Sequence, residues 1–183
     1  IALVNLSPEE SRLTFTAFDP LGSLIGGANI ENPHTFSLPA RHQMPRVEFQ
    51  LFGEGILEEG KNTGWFHLKS SIQKMLGFFL IFDDKLQVLD GTEVTEQTYK
   101  SLIFTAVEEH GITQLNVNNP GTKPTNLTVE LVRPDGVNKA AVIKPVAALG
   151  AVSESLSVLI SASTASPADY FRVSSATTSI SAV

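Results

Sequence analysis

The sequence predicts an all-β fold of two tandem antiparallel β-sandwich modules with short helical turns. Three observations predict it: a domain-sized internal repeat, short segments that alternate polar and apolar residues, and Pro/Gly turns between them. Residues 1–22, IALVNLSPEESRLTFTAFDPLG, lie without a gap on residues 115–136, LNVNNPGTKPTNLTVELVRPDG, at an offset of 114. Asn5 meets Asn119, Leu13-Thr14 meets Leu127-Thr128, Phe15 meets Val129, and Pro20 and Gly22 meet Pro134 and Gly136. A second block, GWFHLKSSIQKMLGF (64–78), lies on DYFRVSSATTSISAV (169–183) at offset 105. There Trp65 meets Tyr170, Phe66 meets Phe171, Leu68 meets Val173 and Ser70 meets Ser175. The second copy is therefore nine residues shorter somewhere between the blocks. A repeat of this size is a domain, not a solenoid unit. The modules are expected at residues 1–91 and 99–183, with a linker at 92–98 that overlaps the polar stretch LDGTEVTEQ (89–97).

The elements follow in order. Arg12 to Phe18 alternates polar and apolar, as does Asn126 to Val132, and both read as strands with one buried face. Each ends in a turn, Asp19-Pro20-Leu21-Gly22 or Arg133-Pro134-Asp135-Gly136, where proline presets φ and glycine accepts a positive one. Leu24-Ile25 and Ala140 to Ile143 read as the next strands, and Leu38-Pro39-Ala40 as a sharp turn. Arg46 to Phe52 and Ser153 to Leu159 fit either a short helix or a strand. Phe66 to Lys69 alternates again. Met75 to Phe82, MLGFFLIF, is nearly all apolar, which suits a strand buried on both faces or at a module junction. At eight residues it is too short to span a bilayer as a helix.

Composition excludes several function classes. A net charge of -6 and a pI near 5.2 argue against a general nucleic-acid binder and against a polybasic membrane contact. The absence of cysteine removes disulfides, thiolate catalysis and cysteine metal sites. Ile1 in place of methionine points to a processed or trimmed start. No nucleophile elbow, phosphate-binding loop or dinucleotide-binding glycine pattern occurs, so no cofactor is expected and the chain is not expected to be an enzyme.

Among candidate site residues, His34, His42, His67 and His110 lack metal-ligand spacing, and His67 aligns with Arg172 as a solvated position. Asp83, Asp84 and Asp90 are oxygen donors of the kind calcium takes, but without EF-hand order; no metal site is assigned. Glu58-Glu59 and Glu108-Glu109 are adjacent pairs, and neighbours on a strand point to opposite faces. Ser70-Ser71 and Ser174-Ser175 recur as strand ends, and Gly26-Gly27 reads as a turn or bulge. Trp65 and Tyr170 share one position and are candidates for stacking on sugar, or for filling a core or interface. Asn5 and Asn126 match the glycosylation sequon.

The order of the motifs IALVN, AFDPLG, SLPARHQMPRVEFQLF, GWFHLKSS and MLGFFLIF with LDG resembles a largely uncharacterised family of bacterial exported tandem β-sandwich repeats. SLIFTAVEEHGITQLNVNNP, VRPDG and YFRVSSATTSISAV carry the resemblance through the second copy. The resemblance implies an immunoglobulin-like scaffold and an extracellular or cell-surface location; it implies no activity. It also implies a strand like Ser101 to Val107 ahead of each copy, which copy one lacks, while copy two stops at the equivalent of Phe78.

Two function classes follow. One is a non-catalytic structural or adhesive segment, with sheet edges at Ile1, Leu3, Phe79, Ile81, Ile180 and Val183 open to strand exchange with other chains or with copies of itself, to the point of forming filaments. A plainer alternative is that residues 1–183 belong to a longer chain. The other class is a carbohydrate-binding module using Trp65 and Tyr170.

Overall fold

A computed structural model describes residues 1–61, 63–82, 89–94, 96–105, 107, 113–160 and 165–182. The fold is all-β, with four antiparallel sheets. The chain divides into two compact units, Ile1–Phe18 with Leu24–Glu96, and Asp19–Ser23 with Gln97–Val183.

In the first unit the strands are β1 (Ala2–Asn5), β2 (Ser11–Phe18), β3 (His34–Leu38), β4 (Gln43–Pro45), β5 (Trp65–Ser70), β6 (Met75–Phe82) and β7 (Leu89–Glu93). They form one sheet in the order β4-β1-β6-β7 and a second in the order β3-β2-β5. The second unit holds β8 (Ser101–Phe104), β9 (Gln114–Asn118), β10 (Thr125–Val132), β11 (Asn138–Val146), β12 (Ala151–Ser155), β13 (Tyr170–Ser175) and β14 (Ser181–Ala182). Its sheets run β12-β9-β14 and β11-β10-β13-β8. In each unit, side chains from both sheets meet in one apolar core.

Alternation sets which face is buried. Along β2, Ser11, Leu13, Phe15 and Ala17 turn inward; along β10, Thr125, Leu127, Val129 and Leu131 do the same. The two strands share one burial pattern residue for residue, although their cores differ in substance. Phe15 packs against Phe36, Phe52 and Phe66, whereas its counterpart Val129 sits in a mainly aliphatic cluster. The alternation of buried and exposed positions, not residue identity, is what the repeat retains.

The matched turns close alike. Gly22 N–H bonds Asp19 O and Asp19 N–H bonds Ser23 O; Gly136 N–H bonds Arg133 O and Arg133 N–H bonds Val137 O. Gly22 and Gly136 have φ of 85° and 84°, where a side chain is strained, which is why glycine recurs.

Register locates the shortening of the second copy. Ser11 pairs with Leu38 and its counterpart Thr125 pairs with Val146, so the offset of 114 at β2 falls to 108 (146 − 38) at β3. Six of the nine residues therefore lie in the segment between β2 and β3, around Gly26-Gly27. The rest lie between β4 and β5. There the first unit has helix α1 (Glu48–Phe52) and a 3-10 turn at Glu54–Leu57, and the second has helix α2 (Leu156–Leu159). The two segments compatible with helix or strand thus contain a short helix each, and Ser153 to Ser155 completes β12.

Two expectations change. The stretch read as connection is strand over Leu89–Glu93, paired with β6 despite weak strand propensity, because β6 offers it an edge. And β6 is not covered on both faces: Leu76, Phe78 and Leu80, on its outer face, are 52%, 44% and 46% exposed.

Candidate functional site

The polar residues that match between the copies are used inside the scaffold. Asn5 is fully buried; its Nδ2 donates to Glu9 O, Leu38 O and Pro39 O, and its Oδ1 accepts Ser7 N–H at 2.8 Å. Asn119 does the same work, donating to Lys123 O and Ala147 O and accepting Gly121 N–H. A buried amide that satisfies several loop groups at once fixes the turn after β1 or β9. Ser11 Oγ and Ser70 Oγ lie 2.9 Å apart, and the counterpart pair Thr125 Oγ1 and Ser175 Oγ 2.6 Å apart. The recurring serines are hydroxyl clasps between neighbouring strands.

The units differ at two sheet edges: β7 pairs beyond β6 in the first unit, and β8 pairs beyond β13 in the second. β5 and β13 occupy the same place, each paired along one side to β2 or β10. In the second unit β8 pairs along the other side of β13, with Phe104 opposite Phe171, Leu102 opposite Val173 and Ser101 opposite Ser174. Leu102 and Phe104 pack on the core, and Phe171 and Val173 are 2% and 0% exposed. No described strand pairs with the corresponding edge of β5, and Phe66 and Leu68 are only half-buried. Ser71 N–H bonds Arg12 O toward β2, so the alternation of an antiparallel ladder turns the N–H groups of Phe66, Leu68 and Ser70 to the open side. At the matching position of the second unit, Ser175 N–H donates to Lys100 O at 2.9 Å.

The residues expected to form a strand-exchange edge, where described, are placed on other parts of the sheets. Leu3 is 1% exposed on β1, which is flanked by β4 and β6, and the Ile1 ammonium donates to Arg46 O. Partial burial of that ammonium lowers its pKa. Phe79 and Ile81 are on β6, where they pair with Thr92 and Asp90 of β7, beyond the last β6 residue paired with β1, Phe78. Ile180 is fully buried and exchanges two backbone hydrogen bonds with Tyr99. Val183 lies outside the described residues. The edge without a described partner in the first unit is that of β5, because in the second unit the strand ahead of the copy joins the opposite sheet from its successor: β8 pairs with β13, not with β9. Phe66 and Leu68 were missed for this reason, although their alignment with Phe171 and Val173 pointed to them.

Trp65 is half-buried and stacks on its cross-strand neighbour Phe18 at 5.2 Å, so one ring face is taken; Tyr170 is half-buried opposite Val132. His67 is exposed, as its alignment with Arg172 led one to expect. Arg172 makes a two-pronged bond to Glu130 across β10 and β13, at 2.7 and 3.0 Å. The hydrogen bonds from Arg172 hold the Glu130 carboxyl below its usual pKa, with Asn138 helping, and Glu130 raises that of Arg172 in turn. Lys139 lies 2.7 Å from the buried Asp169, and with Ser166 N–H keeps that carboxyl ionised to lower pH.

Two open depressions mark the first unit. One, about 410 Å³, lies where the extra segment before β3 meets α1, with Ile30, Glu31, His34 and Phe49 in its wall. His34 Nδ1 donates to Leu51 O and Nε2 faces Glu31 at 3.5 Å. The other, about 450 Å³, runs beside the exposed Phe78 and Leu80. Among the described residues no three His, Asp or Glu side chains gather as metal ligands. Glu58 and Glu59 are both exposed; Asp83, Asp84, Glu108, Glu109 and His110 lie outside the described residues, as does the side chain of Asp90. Asn126 is exposed, whereas the Asn5 sequon is engaged in the interior. No family model, curated protein or solved structure matches the chain.

Proposed function

We propose that the chain is a non-catalytic structural or adhesive segment of an exported bacterial surface or extracellular protein, built from immunoglobulin-like modules in series. The observation that carries this reading is where the duplicated polar residues go. Asn5 with Asn119, and Ser11-Ser70 with Thr125-Ser175, all bond within their own unit. Selection for a duplicated binding or reaction site repeats polar groups that face a cleft; here the repeated groups hold loops and strands in place. The family resemblance supplies the exported location and the scaffold name.

A glycan array and a panel of hydrolase substrates test the reading together. The expected result is neither turnover nor saturable glycan binding. Turnover abolished by changing a single polar side chain would replace it with an enzyme. Glycan binding lost in Trp65→Ala, with an unchanged circular dichroism spectrum, would replace it with a carbohydrate-binding module.

A further inference from the structure

We infer that the edge of β5 along Phe66, Leu68 and Ser70, which no described strand pairs, is a docking site for one extended peptide strand of the β8 kind, donated by a partner polypeptide. The inference rests on the structural-segment reading and names the partner that segment takes. The second unit displays the occupied form of the same edge. There a four-residue strand, Ser101-Leu102-Ile103-Phe104, runs antiparallel to β13 and places two apolar side chains on the core at alternate positions. Transferred to the first unit, the same register sets a Phe104-like residue opposite Phe66 and a Leu102-like residue opposite Leu68.

The edge has what such a strand needs. β5 runs six residues without proline, glycine or a break in register against β2. It presents outward N–H groups at Phe66, Leu68 and Ser70, and half-exposed apolar side chains that a strand would finish covering. A second copy of the chain is not the natural donor. Its β8 is committed to β13, and withdrawing it would expose Leu102, Phe104, Phe171 and Val173 together.

The test adds a labelled peptide of sequence YKSLIFT, matching Tyr99 to Thr105, to the intact 183-residue chain. Fluorescence polarisation is expected to saturate at one peptide per chain. NMR-monitored hydrogen exchange is expected to slow by at least about tenfold at Phe66, Leu68 and Ser70, and to stay unchanged at Phe171, Val173 and Ser175. A peptide carrying Leu102→Asp and Phe104→Asp should bind at least about tenfold more weakly, since two apolar contacts are lost. Absence of saturable binding, or protection arising at another strand, overturns the inference. So does protection of β5 that grows with protein concentration without peptide, which assigns the edge to a second copy. A negative peptide result leaves the glycan and hydrolase outcomes standing, and turnover there leaves the peptide result standing, so the two failures are told apart.

Discussion

Phe66 and Phe171 stand at the same point of the same strand in the two units, one half-buried beside an open edge and the other 2% exposed beneath β8. Their immediate neighbours along the strand are alike, as are the strands that pair on their inner side, β2 and β10. The difference lies in a single further strand. Burial of a strand residue is thus set as much by what pairs alongside it as by its own place in the alternation. An edge residue left half-covered keeps apolar surface and backbone donors in water, which is the state another strand relieves.

The largest effect that can test this contrast is truncation of the two phenylalanines. Phe171→Ala removes a sealed core ring and should cost about 3–5 kcal/mol, while Phe66→Ala, at the open edge, should cost roughly 2 kcal/mol. Denaturant titration separates them, because the single tryptophan, Trp65, reports the first unit and both tyrosines, Tyr99 and Tyr170, lie in the second. Equal losses would mean that β5 is already covered in solution. Next comes the feature in which the units agree. Asn5→Ala removes the amide donor to Leu38 O and Pro39 O and the acceptor of Ser7 N–H, at roughly 2–3 kcal/mol, and Asn119→Ala should match it within about 1 kcal/mol. A much smaller loss at Asn119 would break the equivalence of the two loops.

Acid gives the smallest separation. Glu130 and Asp169 both belong to the second unit and both have lowered pKa values, through bonds from Arg172 and Lys139 respectively. Groups whose pKa is depressed by folding add stability above their ordinary values, 4.5 and 3.8, and lose it as pH falls through the folded values. The tyrosine-reported transition should therefore move to lower denaturant as pH drops below 4.5, and this shift should flatten in a Glu130→Gln, Asp169→Asn double variant. An undiminished shift in that variant would place the acid sensitivity elsewhere.

Much of the scaffold was legible in the residues. The alternation of Arg12 to Phe18 and Asn126 to Val132, the Pro-x-Gly turns and the ungapped repeat follow local rules: period two for a half-buried strand, positive φ for a closing glycine. Leu89–Glu93 was not legible, since its polar, glycine-containing sequence becomes strand only because β6 lies beside it. Nor was the edge of β5, along Phe66 and Leu68, that no described strand pairs; Leu3, one of the six residues expected at an exchange edge, lies between β4 and β6.

What the sequence by itself determined is the doubling of one strand plan, its buried faces and its turns, because each depends on residues within a few positions of one another. What only the tertiary structure decided is which strands are neighbours. β8 passes over to β13 rather than to β9, its successor in the chain, and so the matching edge in the first unit, where no described strand pairs, is that of β5. Hydrogen-bond pairing between strands far apart in sequence leaves no period in the residues themselves, and that pairing is where the candidate site resides.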